Sequence, residues 1–272
     1  MRIALCACAK NEQLYLKDWI QYHLDIGVNH IYLIDNNNPL DERQHEVACM
    51  FPSVTWIDAR GELLAQMGFQ SGAYQRCYEL YGNMYDWIGF IDIDEFIDIE
   101  NVKDVNTYFS QSFISKYSII HINWKCYGDN DLIKYDSRPV YERFAIPCED
   151  TVKYANKFYE NNHVKSFIRG NLPSAQIGIH TSIVSGICGR ANGMPGNMNS
   201  SFEPYNFEGA FIKHYITKSL LEYIDRRCVD TSIATSTTLI DANKRLEWFF
   251  NINRHTPLKD KIVGLFKQTM KL

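Results

Sequence analysis

Strand-like and helix-like patterns alternate along the first third of the chain, and this alternation constrains the fold more strongly than any other feature of the sequence. Residues 3–9 form a continuous small and apolar run, which is typical of a strand covered on both faces of a parallel sheet. Apolar side chains recur at helical spacing over residues 14–26, and Gly27 supplies a stop signal. Residues 28–34 are rich in β-branched and aromatic side chains and run into a turn-forming Asp-Asn-Asn-Asn-Pro segment. The sequence therefore predicts a strand, a helix and a second strand.

The same order repeats further along the chain. The patterns predict a helix over 41–50, a strand over 54–58, a helix over 71–81 and a strand over 87–91. This repetition predicts an α/β fold with a single mixed, mostly parallel sheet that is flanked by helices and has right-handed crossovers. Because ligands of such sheets bind beyond the carboxyl ends of the strands, we expect a functional site where polar clusters follow strands one, two and four.

The second half of the chain is less regular. We predict strands over 119–124 and 164–169 and helices near 218–228 and 239–251. Residues 190–206 are rich in glycine, proline and asparagine, so they predict a long loop, which we interpret as a mobile flap.

Composition and charge exclude several classes of protein. The net charge of −4 leaves no basic field for nonspecific nucleic-acid binding, so no nucleic-acid partner is expected. Eight cysteines without a CxxC pair predict reduced thiols in a cytoplasmic protein and argue against a zinc site. The first apolar run is too short for a signal peptide, and no run reaches the ~18 residues of a membrane-spanning helix.

Asp92 and Asp94 are the most informative polar pair. They stand two residues apart at the end of an apolar strand, so their carboxylates project from the same side of the backbone. Two carboxylates in this position can share a divalent cation with a diphosphate. The alternative is a solvated strand end, which the tetrapeptide Asp-Ile-Asp-Glu does not exclude.

Several separate motifs accompany this pair in a consistent order. They are residues 6–12, 31–37, 70–77 and 87–96, followed by Trp124, Tyr127-Gly128, Arg143-Phe144, residues 164–167, His180, residues 214–219 and Glu222-Tyr223. Together these motifs resemble the family 2-like and family 92 glycosyltransferases, which have the Rossmann-like GT-A fold. The resemblance covers roughly residues 3–228.

The resemblance implies a donor site built around a metal ion. Asp92 and Asp94 fill the Asp-x-Asp motif that holds Mn²⁺ or Mg²⁺ against the donor diphosphate, and His214 matches the histidine that completes the coordination, with His180 in reserve. The implied nucleotide-binding residues are Ala9, Lys10, Asn11, Glu12, Asp35, Asn36, Gln70, Arg76, Asp92, Ile93 and Lys165. The alternatives are an Asx turn for Asp35, solvated helix positions for Gln70 and Arg76, and a surface lysine for Lys165.

The resemblance also implies an inverting reaction, which needs a carboxylate to accept the acceptor's proton. Glu149, Asp150 and Glu208 lie in the stretch where such a base commonly occurs, although each could equally be an ordinary surface acid. The implied acceptor-binding residues are Trp124, Tyr127 and His180. The two aromatic side chains could instead be part of the core.

The leading hypothesis is a metal-dependent glycosyltransferase. It would move a sugar from a nucleotide-sugar, expected to be a UDP-sugar, to a glycan or lipid-linked glycan in cell-surface polysaccharide biosynthesis. The alternative is a catalytically silent GT-A domain that binds nucleotide or glycan as an assembly partner. Another nucleotide-dependent enzyme is disfavoured, because neither a GxGxxG segment after the first strand nor a phosphate-binding GxxxxGK[ST] loop is present.

We predict two parts of the chain. Residues 1–228 form the GT-A domain, and residues 229–272 form a helical extension packed either on that domain or on a membrane surface. Within the extension, residues 258–272 combine four lysines with an apolar face, which suits an anionic membrane. The expected location is cytoplasmic, with peripheral contact on the cytoplasmic membrane if the tail binds lipid.

Overall fold

The computed structural model describes residues 1–62, 68–148, 153–154, 158–229 and 242–253. The strands in this part of the chain are β1 Ile3–Ala9, β2 His30–Asp35, β3 Val54–Asp58, β4 Trp87–Phe90, β5 Glu95–Ile99, β6 Ile119–Cys126, β7 Lys153–Tyr154, β8 Phe158–Tyr159, β9 Val164–Arg169, β10 Cys188–Arg190 and β11 Ala210–His214. The α-helices are α1 Leu16–Asp25, α2 Arg43–Ala48, α3 Phe69–Tyr81, α4 Val105–Phe109, α5 Ser112–Ser115, α6 Val140–Arg143, α7 Leu220–Tyr223 and α8 Ala242–Ile252. Short 3-10 turns lie at Gly82–Met84 and Glu160–Asn162, and a π-helical segment spans Ile224–Val229.

Nine of these strands form one sheet in the order β3-β2-β1-β4-β9-β6-β11-β5, with β10 paired to β6. The strands β3, β2, β1 and β4 are mutually parallel, and so are β10 and β6. Strand β9 runs antiparallel to both β4 and β6, and β11 runs antiparallel to β5. The predicted α/β fold with a mixed, mostly parallel sheet is confirmed.

Strands β1, β2 and β4 are almost entirely buried because their two faces carry apolar side chains, whereas β3 at the edge of the sheet is half-buried. One face of β1, β2 and β4 packs against α3, where Tyr74, Cys77 and Tyr78 join the buried cluster. On α1, Trp19 and Ile20 are fully buried, and the Trp19 indole N–H donates to the Glu95 carbonyl at 2.8 Å. This packing positions the carboxyl ends of β1, β2 and β4 at one edge of the sheet.

The chain divides into two compact units. Unit one comprises Met1–Lys125 and Asn161–His214, and it holds the sheet apart from the last residue of β6. Unit two comprises Cys126–Glu160 and Tyr215–Leu272, of which the structure describes the ranges given above. Its side chains include an apolar cluster of Tyr223, Phe249 and Phe250 and an ion pair of 3.0 Å between Arg143 and Glu222. The boundary predicted at residue 228 stays a prediction, and the tail at 258–272 lies outside the described residues.

Most strand bounds follow the sequence closely. β1, β3 and β9 begin and end where predicted, while β6 continues two residues further and β4 stops one residue earlier. Strand β5 is an addition, since the sequence analysis assigned no strand to residues 95–99. The loop at 190–206 is held in place, because Phe202 bridges to His163 and Pro195 bridges to Gly189. Within the described ranges, no helix combines the length and the apolar character that crossing a membrane requires.

Candidate active site

The turn that joins β4 to β5 brings three carboxyl groups together at the carboxyl end of the parallel strands. The Asp92 backbone N–H donates to Glu95 Oε2 at 3.0 Å, and the Glu95 N–H donates to the Asp92 carbonyl at 3.1 Å. Asp94 is 5% exposed and Glu95 is fully buried, so the tetrapeptide is not a solvated strand end. This excludes the alternative interpretation that the sequence left open.

Asp92 is held through both of its carboxylate oxygens. Oδ2 accepts from the Lys165 ammonium at 2.8 Å, while Oδ1 accepts from the Gln70 amide at 2.8 Å and faces the Tyr74 hydroxyl at 3.4 Å. Burial is the largest single effect and would raise the pKa of Asp92, but the charge of Lys165, its hydrogen bond and a smaller effect of His180 together hold the pKa below its usual value. Asp92 is therefore an oriented, ionised carboxylate at neutral pH.

Lys165 is a fully buried cation. It projects from β9, and its Nζ also lies 3.6 Å from Glu95 Oε2. Burial lowers the pKa of this lysine, yet the neighbouring carboxylates of Asp92 and Glu95 raise it by more, so the net shift is upward. The alternative of an ordinary surface lysine is excluded, while a contact between Lys165 and phosphate stays a prediction.

His214 ends β11 opposite Glu95, and this register brings its ring to Asp94. Its Nε2 lies 3.8 Å from Asp94 Oδ1, and its buried Nδ1 has no hydrogen-bond partner in the part of the chain that the structure describes. Burial lowers the pKa of His214 to about 3, against a smaller opposing effect of Asp94. The imidazole is thus neutral at physiological pH and keeps a lone pair for a ligand.

Three histidines surround the Trp124 indole. The ring centroids of His214, His163 and His180 lie 4.1, 4.6 and 5.3 Å from that of Trp124. His180 also contacts the Val164 carbonyl through Nδ1 at 3.2 Å, and burial lowers its pKa to about 4. Trp124 is only 7% exposed, which agrees with the core alternative, and its role toward an acceptor stays a prediction.

The chemistry between Asp94 and His214 fits the divalent cation that the resemblance implies. A separation of 3.8 Å exceeds a hydrogen bond, whereas two ligand atoms that are each about 2.0–2.2 Å from one ion lie up to about 4 Å apart. A carboxylate oxygen and a neutral imidazole nitrogen are both ordinary metal ligands. Within the described residues Nδ1 of His214 has no hydrogen-bond partner, so the polar contact of the ring is the one between Nε2 and Asp94, and this donor pair is consistent with a metal site.

The predicted nucleotide-binding loops after β1 and β2 are tied to each other. The Asn36 N–H donates to the Ala9 carbonyl at 2.8 Å, and the Asn11 N–H donates to Asn37 Oδ1 at 2.7 Å. Asn11 itself has a φ of 56°, a left-handed conformation that asparagine tolerates well. Lys10 is half-buried and Glu12 is buried in the same loop.

Asp35 makes the Asx turn that was the alternative to nucleoside binding. Its Oδ1 accepts from the Asn37 N–H at 3.0 Å and from the Gln44 amide at 2.6 Å, and its Oδ2 accepts from the Trp56 indole at 3.0 Å. The side chain is fully buried, so a direct contact with a nucleoside, which stays a prediction, would require these partners to move.

The two candidates on α3 lie in different surroundings. Gln70 reaches Asp92, whereas Arg76 is exposed and lines a cavity of about 530 Å³ together with Ile34 and Ile57. Ile93 is buried within the turn. Tyr127 belongs to unit two, where it is buried.

The general-base candidates are not brought to the cluster by any described contact. Glu208 is exposed, and its carboxylate accepts from the Asn206 amide at 3.4 Å. Glu149 and Asp150 lie outside the described residues. The sequence analysis missed Tyr74, Glu95 and His163 as members of the site, although all three lie inside or beside the motifs of the resemblance.

Comparison with known proteins gives the family. The model of glycosyltransferase family 92 matches residues 52–247. A family 92 protein of Ricinus communis is 27% identical over 101 residues, which cover 36% of this chain and 17% of that protein. A family 92 protein of Oryza sativa subsp. japonica is 33% identical over 95 residues, which cover 35% of this chain and 16% of that protein. The matched part of this chain thus spans about a sixth of the length of these relatives.

Solved structures show weaker overall similarity. The galactosyltransferase LgtC, solved with donor and acceptor sugar analogues, is 13% identical with a TM-score of 0.36, covering 92% of this chain and 96% of that one. A 4-diphosphocytidyl-2C-methyl-D-erythritol synthase of Anaerococcus prevotii is 7% identical with a TM-score of 0.35, covering 62% of this chain and 71% of that one. Since the family match covers well over half of the chain, the chain belongs to glycosyltransferase family 92.

Proposed function

We propose that this protein is a metal-dependent glycosyltransferase that moves a sugar, with inversion, from a UDP-sugar to a glycan or lipid-linked glycan. The observation that carries the proposal is that buried Asp94 and His214 lie with the half-buried Asp92 at the carboxyl end of β4, in a chain of family 92. Ligands of parallel sheets bind at this edge. The cluster also supplies the charged and metal-ligating groups that a nucleoside diphosphate requires.

In this proposal Asp94 and His214 hold the cation and Asp92 faces it with an oriented carboxylate. When bound, a divalent cation would offset the negative charge that develops on the departing nucleoside diphosphate. A nitrogen ligand favours Mn²⁺ over Mg²⁺, because Mg²⁺ prefers an all-oxygen shell. The neutral state of His214 supports this role, because a protonated imidazole has no lone pair to donate.

The surrounding residues keep the aspartates in position. Lys165 and Gln70 bind opposite oxygens of Asp92, so the carboxylate cannot rotate freely. Lys165 also offsets part of the negative charge of the turn, which lowers the cost of bringing a diphosphate close to it. A site that is oriented before its ligand arrives loses less entropy on binding.

The donor nucleotide is proposed to lie over the loops after β1 and β2. Ala9, Lys10, Asn11 and Glu12 would border the base and ribose, with Asn36 alongside. Asp35 would then act indirectly, because its three hydrogen bonds hold the turn in shape. UDP as the nucleotide rests on the resemblance described above.

The acceptor side of the site is proposed with Glu149, Asp150 or Glu208 as the general base and Trp124, Tyr127 and His180 as acceptor contacts. We also propose that the protein works at the cytoplasmic face of a membrane, with residues 258–272 lying on anionic lipid. A lipid-linked acceptor in cell-surface polysaccharide biosynthesis would suit that location.

The proposal is tested by calorimetry with UDP and then UDP-, GDP- and CMP-sugars, with and without Mn²⁺, followed by turnover of the sugar that binds. We expect UDP binding that requires Mn²⁺ and is lost in Asp94→Asn. Asp98→Asn is the matched control, since Asp98 lies on β5 and pairs with Lys213 rather than with the cluster. Failure of wild-type protein to bind any of these nucleotides with Mn²⁺ would overturn the proposal. Mn²⁺-dependent UDP binding without turnover of any donor would instead support the silent-domain alternative.

A further inference from the structure

A second group of metal-ligating side chains lies away from the aspartate turn. His121 comes from β6, Cys188 from β10, and Glu203 from the long loop before β11. All three are buried, and one ligand atom of each lies within 4.8 Å of the others. No spacing motif marks these residues in the sequence, because the fold brings them together from separate segments.

His121 and Lys165, the lysine that contacts Asp92, project from opposite faces of the sheet. In the register of β6 and β9, Ile122 pairs with Lys165 and His121 pairs with Ser166. Successive side chains of a strand point to opposite faces, so His121 points away from the face that carries Lys165. The cluster is therefore a separate site.

The hydrogen bonds around His121 fix which of its nitrogens carries a proton. The Thr181 hydroxyl donates to the Met198 carbonyl at 3.1 Å, so Thr181 Oγ1 accepts from His121 Nε2 at 2.7 Å. In a neutral imidazole Nδ1 is then a bare acceptor. That nitrogen lies 3.2 Å from Glu203 Oε1, which already accepts from the Asn197 N–H at 2.5 Å.

His121 Nδ1 and Glu203 Oε1 are both acceptors, so they repel each other at this distance unless a proton or a cation lies between them. An additional proton on His121 would satisfy the pair, and so would a metal ion. The nearby Cys188 favours the metal, because a third ligand atom beside the pair has no function in a simple His–Glu ion pair. Imidazole, thiolate and carboxylate together are a ligand set typical of Zn²⁺.

Gly196 leaves the space that such an ion needs. A Cβ at this position would lie 2.8 Å from Cys188 Sγ and 3.1 Å from Glu203 Oε1. Any larger residue would therefore crowd the two ligand atoms, whereas glycine leaves them open toward each other.

We propose that His121, Cys188 and Glu203 bind a Zn²⁺ ion as three protein ligands, with Thr181 orienting the histidine. Binding would displace the proton of the Cys188 thiol and join the loop at 190–206 to β6. Thr181 follows His180, and Glu203 follows Phe202, whose ring lies 4.5 Å from that of His163. The ion would thus link the segments that carry Thr181 and Glu203, and these segments place His163 and His180 beside Trp124.

The first test uses the intact wild-type chain. Metal-free protein is titrated with Co²⁺, which gives an intense near-ultraviolet charge-transfer band only when a thiolate is among its ligands. Asp92, Asp94 and His214 include no thiolate, so these three residues give no such band, and the Cys188 variant described below assigns the band to the second cluster. We expect the band to appear, to disappear when Zn²⁺ displaces Co²⁺, and to persist in an Asp92→Asn/Asp94→Asn variant.

Substitutions then assign the ligands. Cys188→Ala is expected to lose the band and the zinc measured by mass spectrometry, while Cys126→Ser, which changes another buried thiol at the end of β6, keeps both. Thr181→Val is expected to weaken zinc binding about 10–100-fold, as loss of an orienting partner does. Absence of the band in wild-type protein, or its survival in Cys188→Ala, would overturn the proposal and leave a protonated His121 paired with Glu203.

Discussion

Replacing Lys165 with methionine removes a fully buried side-chain cation that contacts the aspartate turn. Methionine keeps the length of the side chain and its apolar contacts, so the change is mainly one of charge. The lysine is fully buried, and its ammonium lies 2.8 Å from Asp92 and 3.6 Å from Glu95. The variant would therefore leave these carboxyl groups without the cation that stabilises Asp92 in its ionised form.

The expected loss of stability follows from the burial of the two partners. Removing one member of a buried ion pair costs about 3–5 kcal/mol, because the remaining charge is left uncompensated. The Asp92 side chain is 32% exposed and keeps its contacts with Gln70 and Tyr74, so water and these donors relieve part of the loss. We expect a cost near the lower end, about 3 kcal/mol, and a fall in Tm of roughly 6–12 °C.

The assay is urea denaturation of metal-free protein, with Lys165→Met, Asp92→Asn and the double variant compared in one cycle. The double variant removes both charges, so its loss should be smaller than the sum of the single losses by about 1–3 kcal/mol. Lys213→Met is the matched control, because Lys213 pairs with Asp98 at a partly exposed position and should cost no more than about 1 kcal/mol.

The pH dependence gives an independent check of the reasoning. In wild-type protein the pKa of Asp92 is depressed, so its contribution to stability is present above its unfolded value of 3.8 and is lost as the pH falls through the folded pKa. Without Lys165, burial acts unopposed and raises that pKa, so the variant should lose more stability at pH 8 than at pH 5. A Lys165→Met protein that unfolds within about 1 kcal/mol of wild type at pH 8, or strictly additive losses in the cycle, would refute the argument.

Three further outcomes are expected. Asp35→Asn should lower the free energy of unfolding by about 1–3 kcal/mol, because the new amide N–H groups would face the N–H donors of Gln44 or Trp56. A lower Tm with an unchanged helical signal in circular dichroism would show this loss. Burial raises the pKa of Glu160 to about 7 from an ordinary value of 4.5. The free energy of unfolding should therefore fall by roughly 3 kcal/mol as the pH rises from 4.5 to 7. Denaturation curves at several pH values should show that Glu160→Gln removes this dependence. Deletion of residues 258–272 should reduce sedimentation with anionic vesicles but leave donor hydrolysis intact, and unchanged sedimentation would assign the tail to packing.

The parallel strands β1, β2 and β4 could be predicted from the sequence because they are buried on both faces. A continuous apolar run such as residues 3–9 has polar neighbours at both ends, and those neighbours mark the strand bounds. The strand at 95–99 escaped prediction for the opposite reason. It begins with Glu95, which can be fully buried because Lys165 and the Asp92 backbone N–H contact its carboxyl group. The local sequence gives no sign of these partners, so Glu95 resembles an exposed residue.

Some residues of the candidate site could also be predicted from local sequence, whereas others could not. Asp92 and Asp94 could be proposed from spacing alone, since period-two residues share a face of a strand. Lys165 and His214 could be proposed only through the resemblance, because β9 and β11 meet the turn through long-range pairing. The group of His121, Cys188 and Glu203 was beyond both approaches, and the absence of a CxxC pair argued against it, since its ligands converge only in the folded sheet.

The charges in the aspartate turn explain why cation and nucleotide should bind together. Burial raises the pKa of Glu95 well above its ordinary value, and burial lowers the pKa of His214 to about 3, so this ring adds no positive charge near neutral pH. The three carboxyl groups of this turn outnumber the Lys165 ammonium that contacts two of them, so the turn favours a cation and repels a diphosphate. A divalent cation reverses that repulsion and makes the same position attractive. Because linkage is reciprocal, UDP should tighten Mn²⁺ binding by the same factor by which Mn²⁺ tightens UDP binding. Calorimetric titrations in both orders measure the two factors, and a factor near one, which means no coupling, would contradict a shared site.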